Sequence, residues 1–412
     1  MSLLPIDEAL ERLLSDLTVM TSEGIPLKHA IGRVLAEPVY AALDHPRADN
    51  SAMDGFALRA EDGLQTRRLL GQSAAGHPDA HTVHSGDAVR IFTGGLLPPG
   101  ANAVLIQENA HWDEDHCQPH VTPRLGAHIR RRAEDFSTGD ELFASGVSLR
   151  AIDLALLASQ GMTEVQVHRR PTFAVIATGD ELVHPGKPLG PGQIYESNAL
   201  MVSGQAEAAG AQLTETVLVP DDPHETSRNL RRLARDCDLL ICCGGASVGE
   251  HDHVVSCLQE EAEEGLEFYR VQMKPGKPVA AARLGNCIVL CLPGNPASSA
   301  VAFEQFVRPC LRRLQGDRRP HRRLEQRFLA GPISGPQKRC RFLRARLEAD
   351  GQVTPLPKQG SGMLSSLASV DGFVMIPAGT PPLSKGDPVA FQTLDGPGDN
   401  QPPEAQWRRM FS

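Results

Sequence analysis

Long hydrophobic runs, a basic excess and paired cysteines are all missing from this chain of 412 residues. No apolar stretch approaches the roughly twenty residues that cross a bilayer. The opening "MSLLPIDEALERLL" carries acids where a secretory leader needs bases. A cytoplasmic protein with no membrane partner is expected. The net charge of −9 argues against a general nucleic-acid surface, so any anion site must be a local basic pocket. Nine cysteines form no CxxC pair and no regular framework. They sit in apolar stretches such as "LLICCGG" and "CIVLCLPG", as buried reduced thiols do. Aromatic residues are only 4% of the chain, against 38 glycines and 32 prolines, which implies short elements joined by many turns. No internal repeat is visible.

What is present reads as several soluble domains, since this length exceeds one hydrophobic core. Ile6, Leu10, Leu13, Leu14 and Leu17 recur at helical spacing, with Pro5 suited to the first turn. That helix is amphipathic and must lie on something. Residues 40–145 change to short strands and turns, and "SLRAIDLALLASQG" (148–161) reads as a helix. From 172 strands and helices alternate: "TFAVIA", "SNALMVSGQAEAAG", "TETVLVP", "DPHETSRNLRRLARD", "DLLICCGG", "HDHVVSCLQEEAEE", "CIVLCLPG" and "NPASSAVAFEQFVRPCLRRL". The pattern predicts a doubly wound, parallel α/β domain over 170–315, with ligands at the carboxyl ends of its strands. It is preceded by an N-terminal helix-plus-β region (1–165). "DRRPHRRLEQR" reads as a solvated linker to a small C-terminal β domain (325–396), drawn as a small barrel. The tail 397–412 reads as flexible.

Four loops at strand ends in the α/β domain are rich in chemistry. "ATGDELV" carries Asp180 and Glu181, and "PDD" carries Asp221. Carboxylates in such loops suit Mg²⁺, which prefers oxygen ligands, although Asp221 is equally suited to capping the helix that follows. "GGASVGEHDH" offers Gly244 and Gly245, whose backbone N–H groups can turn toward an anion, with the Ser247 hydroxyl beside them. No GK[ST] follows, so it is not a Walker motif. His251 and His253 read as surface histidines rather than zinc ligands. "MKPGKP" holds Lys274 and Lys277 in a stiff loop suited to a polyanion, or to a solvated turn. "LPGNP" sets Pro293, Gly294, Asn295 and Pro296 at a helix start. In the N-terminal half, "DNSAMDGFA" carries Asp54, "IFTGGLLPPGANAV" carries Thr93, and "RRRAEDFSTG" carries Asp135.

Taken in order, "DNSAMDGFA", "TGGLLPPGANAV", "RRRAEDFSTG", "TGDEL", "GQIYESN", "DDPH", "GGASVGEHD", "KPGKP" and "LPGNP" resemble the MoeA family, which includes the E domain of gephyrin. Each segment alone is weak, but nine in order are strong. The resemblance implies the last step of molybdenum cofactor assembly. Adenylylated molybdopterin and molybdate bind, AMP leaves, and molybdenum reaches the dithiolene sulfurs. It implies that the central α/β domain binds molybdopterin. Asp54, Thr93, Asp135, Asp180, Glu181, Asp221, Asp252, Lys274 and Lys277 are implied as catalytic. Gly244, Gly245, Ser247, Arg270, Pro293, Gly294, Asn295 and Pro296 are implied at the cofactor. Asp180, Glu181, Asp221 and Asp252 would hold Mg²⁺, with Zn²⁺ as the alternative. A homodimer with shared clefts is implied, with a molybdopterin adenylyltransferase and molybdoenzyme apoproteins as further partners.

Three positions depart from the family pattern. His253 stands where tyrosine is usual, Arg270 replaces a lysine, and Arg47–Ala48 replace an apolar or aromatic residue. Two other readings share parts of this pattern. The adenylyltransferase of the same pathway normally lacks the "DNSAMDG" region and the C-terminal β domain. A gephyrin-type scaffold would tolerate loss of the carboxylates, which are all present here.

Overall fold

The computed structural model describes residues 3–245, 253–335, 338–394, 398–399 and 401–411. The chain forms two compact bodies. The smaller comprises 38–145 with 155–162, and the larger comprises 1–37, 146–154 and 163–412.

The smaller body is built on a six-stranded sheet. In spatial order its strands are Ala103–Ile106, Gly55–Leu58, Asp87–Ile91, Arg67–Ser73, His116–Pro119 and Ala110–Trp112. All neighbouring pairs are antiparallel except Arg67–Ser73 with Asp87–Ile91. Phe56, Leu58, Ala88, Ala103, Leu105 and Cys117 form its core. Arg67 is wholly buried there and donates to the backbone oxygens of Arg59, Gly63 and Gln65. Burying a guanidinium is tolerable when carbonyls replace its water.

The larger body contains the α/β sheet, in the order Gln212–Val219, Thr172–Thr178, Leu239–Cys243, Cys287–Leu292, Ala280–Leu284 and Leu266–Tyr269. Its first four strands are parallel. The last two run antiparallel to their neighbours. The parallel reading holds for these four strands and does not extend to the last two. "LEFYR" forms the edge strand and "VAAARLG" the strand inside it, and Ala280–Leu284 returns directly into Cys287–Leu292 as a hairpin. The turn at Gly285, with φ of 59°, leaves no room for the crossover helix that parallel pairing requires.

Alternate residues of the buried strands face opposite sides. Phe173, Val175, Ile241 and Leu290 meet the N-terminal helix Ile6–Ser15, the helix Asn198–Ala208 and the Pro296–Leu314 helical run. Ile176, Leu240 and Val289 meet the helices Pro223–Asp236 and His253–Glu261. The apolar stripe of the first helix therefore covers one sheet face, through Ile6, Ala9, Leu10 and Leu13. Asp222 caps Pro223–Asp236 by accepting from Glu225 N at 2.7 Å, the N-cap role that had been one reading of its neighbour Asp221.

A second sheet of this body runs Met273–Lys274, Cys340–Leu347, Gly372–Ile376, Pro388–Thr393 and Leu324–Phe328. Two readings of the C-terminal part are corrected. The basic stretch after Gly316 is no solvated linker: Arg312 pairs with Asp317 at 2.6 Å, Arg322 with Glu304 at 2.8 Å, and His321 is buried. The expected flexible tail is ordered over Pro403–Phe411. Pro403–Phe411 is a helix whose Trp407, Met410 and Phe411 pack on the large core, and Arg408 reaches Asp7 at 3.2 Å. Among the described residues no helix is long and apolar enough to cross a membrane.

Candidate functional site

The carboxyl ends of the four parallel strands lie on one edge, and their loops contact one another. Gly179 N donates to Val219 O at 3.3 Å, and Gly244 N donates to Leu292 O at 3.2 Å. Asp221 N donates to Asp180 Oδ1 at 3.1 Å, while Asp180 N donates to Asp221 Oδ2 at 3.4 Å. Each carboxylate thus satisfies the other's backbone amide with one oxygen. The pair sits between two adjacent strands although 41 residues separate it in sequence. Glu181 lies beside this pair and lines a small cavity of about 90 Å³.

Thr178, Tyr195, Asn198, Cys243, Gly244, Gly294 and Pro296 complete much of the cavity wall. Gly244 of this wall and the adjoining Gly245 are required by space. A Cβ on Gly244 would lie 2.9 Å from Thr178 O, and one on Gly245 would lie 2.2 Å from Val254 Cγ2; both residues have positive φ. Asn198 Nδ2 donates to Gly294 O at 2.6 Å. Two polar atoms of the wall, Thr178 Oγ1 and Asn198 Oδ1, are buried without a partner among the described residues, and such atoms in a concave site are natural contacts for a ligand. Neither Thr178 nor Asn198 is among the predicted site residues, although both sit inside segments noted above, "TGDEL" and "GQIYESN". Cys243 is buried and its thiol is pushed up by that burial, so it is an inert wall rather than a nucleophile.

The lysine loop packs near the last of these strands. A Cβ on Gly276 would meet Met273 Cε at 2.9 Å and Ser298 O at 3.5 Å, so the turn lies against the helix that starts at Pro296. Lys274 and Lys277 are exposed. Pro293 is buried, whereas Gly294 and Asn295 are exposed and Pro296 lies between these extremes. Arg270, with φ of 66°, lays its guanidinium 4.9 Å from the Tyr269 ring and does not line the cavity. Beyond the predicted set, Arg344 is fully buried. It donates to Lys358 O at 3.1 Å and Gly360 O at 3.0 Å, while its Nε and Nη1 have no partner among the described residues. The loop it holds touches the start of the same helix, where Ala297 N donates to Ser361 O at 3.0 Å.

In the smaller body Asp54 accepts from Thr93 N at 2.8 Å and from Thr93 Oγ1 at 2.9 Å. These two bonds hold its carboxyl below the usual carboxylate range, with Arg90 adding a smaller lowering. Asp135 is exposed on a loop tied at both ends, its N–H donating to His45 O at 3.0 Å. Asp44 accepts from Thr138 N and Oγ1 and pairs with Arg132, while Asp49 pairs with Arg131 at 2.6 Å. Ser247 and Asp252 lie outside the described residues. Among the described residues no three His, Cys, Asp or Glu side chains converge as a metal site, so Asp180, Glu181 and Asp221 do not form one by themselves.

Residues 4–161 match the MoeA N-terminal region (domains I and II), 174–313 match a family described as "Probable molybdopterin binding domain", and 327–394 match the MoeA C-terminal region (domain IV). The molybdopterin molybdenumtransferase of Haemophilus influenzae is 33% identical over 95% of this chain and 99% of its own length. Molybdopterin molybdenumtransferase 2 of Mycobacterium tuberculosis is 36% identical over 86% of this chain and 90% of its own. The crystal structure of the molybdopterin biosynthesis moeA protein of Pyrococcus horikoshii superposes with a TM-score of 0.84 at 28% identity, covering 95% of this chain and all of that one. The three matched regions follow the order of the nine sequence segments, and the chain belongs to the MoeA family of molybdopterin molybdenumtransferases.

Proposed function

We propose that this enzyme transfers molybdenum from molybdate to adenylylated molybdopterin, releasing AMP and forming molybdenum cofactor. The observation that carries this reading is the strand-end cavity in a chain of this family, lined by glycine backbone, Glu181 and two polar atoms that have no partner among the described residues, with the Asp180–Asp221 pair next to Glu181 in the loops. The smaller body and the C-terminal β sheet favour it over an adenylyltransferase, which has no need of either.

In this mechanism Gly244, Gly294, Thr178 and Asn198 orient the pterin end of the substrate in the cavity. Lys274 and Lys277 supply positive charge for phosphate and molybdate, and Ser247 adds a donor. Asp180 Oδ2 and Asp221 Oδ1, the oxygens not used on backbone amides, are hard donors of the kind that Mg²⁺ or Zn²⁺ accepts. With Glu181 and Asp252 they would hold such a cation, which would screen charge on the phosphoanhydride. Asp54, Thr93 and Asp135 act from the smaller body. The enzyme works as a homodimer with shared clefts, receives substrate from a molybdopterin adenylyltransferase, and hands cofactor to molybdoenzyme apoproteins.

Incubation with adenylylated molybdopterin tests the reading. AMP release is expected to require both molybdate and Mg²⁺, and to stop with a chelator. AMP appearing equally fast without molybdate would sink it.

A further inference from the structure

Arg90 lies on the Asp87–Ile91 strand, directly opposite Phe56 in the antiparallel pairing with Gly55–Leu58. Side chains two residues apart share a face of a strand, and Asp54 precedes Phe56 by two. Asp54 also continues the sheet, since its carbonyl accepts from Gln107 N at 3.1 Å. Thr93, two residues beyond the same strand, holds the Asp54 carboxylate. Arg90, Asp54 and Thr93 therefore occupy one patch of the smaller body.

The guanidinium of Arg90 is held by aromatic faces rather than by a carboxylate. Its central carbon is 3.9 Å from the centroid of the Trp112 ring and 5.3 Å from that of Phe92. Trp112 is in turn braced by Phe56, with ring centroids 6.0 Å apart. Among the described residues Arg90 makes no ion pair. Stacking occupies the flat face of a guanidinium and leaves its in-plane N–H donors free. Such a cation is oriented in advance, so little rotamer freedom is lost when it meets a ligand. The Asp54 carboxyl, lowered in part by Arg90, shows that its charge reaches the Asp54 patch.

The geometry points to Arg90 as a further substrate-binding residue, one that grips the phosphoanhydride of the adenylylated substrate through its free edge. This rests on the function proposed above for its choice of ligand. A phosphate group matches a planar fork that makes two parallel hydrogen bonds. Tetrahedral molybdate is the other oxyanion present, and kinetics separate the two.

Steady-state AMP release by Arg90→Gln is expected to show KM for adenylylated molybdopterin raised about tenfold or more, as loss of one charge-assisted contact implies. Its kcat should stay within about threefold, with KM for molybdate unchanged. Arg90→Lys, which keeps charge but loses the fork, should recover only part of the affinity. An unchanged KM, a fall in kcat alone, or a rise confined to the molybdate KM would each overturn the assignment. Binding without turnover decides the same point. The chain has two tryptophans, so Trp407→Phe leaves Trp112 as the reporter. Adenylylated molybdopterin added without molybdate should change Trp112 emission, and the change should vanish when Arg90→Gln is added. A flat titration in the Trp407→Phe protein overturns the inference. A wild-type enzyme that binds this ligand through Arg90 yet shows no molybdate-dependent AMP release would instead refute the proposed function and leave Arg90 standing.

Discussion

Asp54 owes its acidity to one neighbour, which presents both a backbone N–H and a hydroxyl to the same oxygen. Thr93→Val removes the hydroxyl and keeps the N–H. The Asp54 carboxyl should then titrate at higher pH than in wild type, while remaining below an ordinary aspartate, as followed by carboxyl ¹³C resonances. An unmoved titration curve would show that the hydroxyl contributes nothing. His321 poses the opposite case. It is buried among cations and its pKa is pushed down to about 4, chiefly by burial and then by Arg308. A base with a depressed folded pKa contributes stability that is whole above its unfolded value near 6.5 and is lost as pH falls toward the folded one. Between pH 7 and pH 5 this amounts to about 2 kcal/mol. Urea unfolding midpoints at these two pH values should differ more in wild type than in His321→Asn. Equal differences would show that His321 does not titrate on unfolding.

Among the elements, the C-terminal helix carries the least expected role. Gln406 is fully buried. Its Oε1 accepts from Leu324 N at 2.7 Å, and its Nε2 donates to Arg322 O at 2.9 Å and Gln401 O at 2.7 Å. The helix thereby pins the stretch that had read as a linker. Gln406→Ala strands the Leu324 N–H and should cost about 1–3 kcal/mol, measured as a loss of thermal or urea stability. A variant as stable as wild type would mean that water replaces the amide. Trp407, Met410 and Phe411 have the i, i+3, i+4 spacing of a buried helical face. The proline-rich approach "DGPGDNQPP" masked that signal, because the face is worth forming only when the N-terminal helix is there to cover it.

At the scale of the whole molecule, the proposed dimer makes a quantitative demand. If each cleft draws Asp54 from one subunit and Lys274 from the other, Asp54→Ala and Lys274→Ala should each be inactive alone. In a mixed dimer one site carries both lesions and the other carries none. Random re-pairing of equal amounts makes about half the dimers mixed, so about a quarter of wild-type activity should return. No recovery, with mixed dimers verified by mass, would rule out a shared cleft.

The alternation of apolar strands and amphipathic helices, and the glycine and proline punctuation between them, are local properties. They were sufficient for the four parallel strands and the helices between 172 and 314, and for the loops that meet at the strand ends, but not for the strands Leu266–Tyr269 and Ala280–Leu284. Turn chemistry also identified Gly244 and Gly245, where positive φ together with close contact, to the Thr178 backbone and the Val254 side chain respectively, favours glycine. Other features depend on which segments become neighbours. Tertiary structure alone set Asp180 against Asp221, ran Ala280–Leu284 against its neighbours, buried Arg344 with two nitrogens unpaired among the described residues, and laid Arg90 on Trp112. Periodicity over ten residues reports which face is apolar and nothing about its partner. Partners are chosen when non-local burial outweighs the entropy of closing the chain between them, and that balance is struck only in the folded molecule.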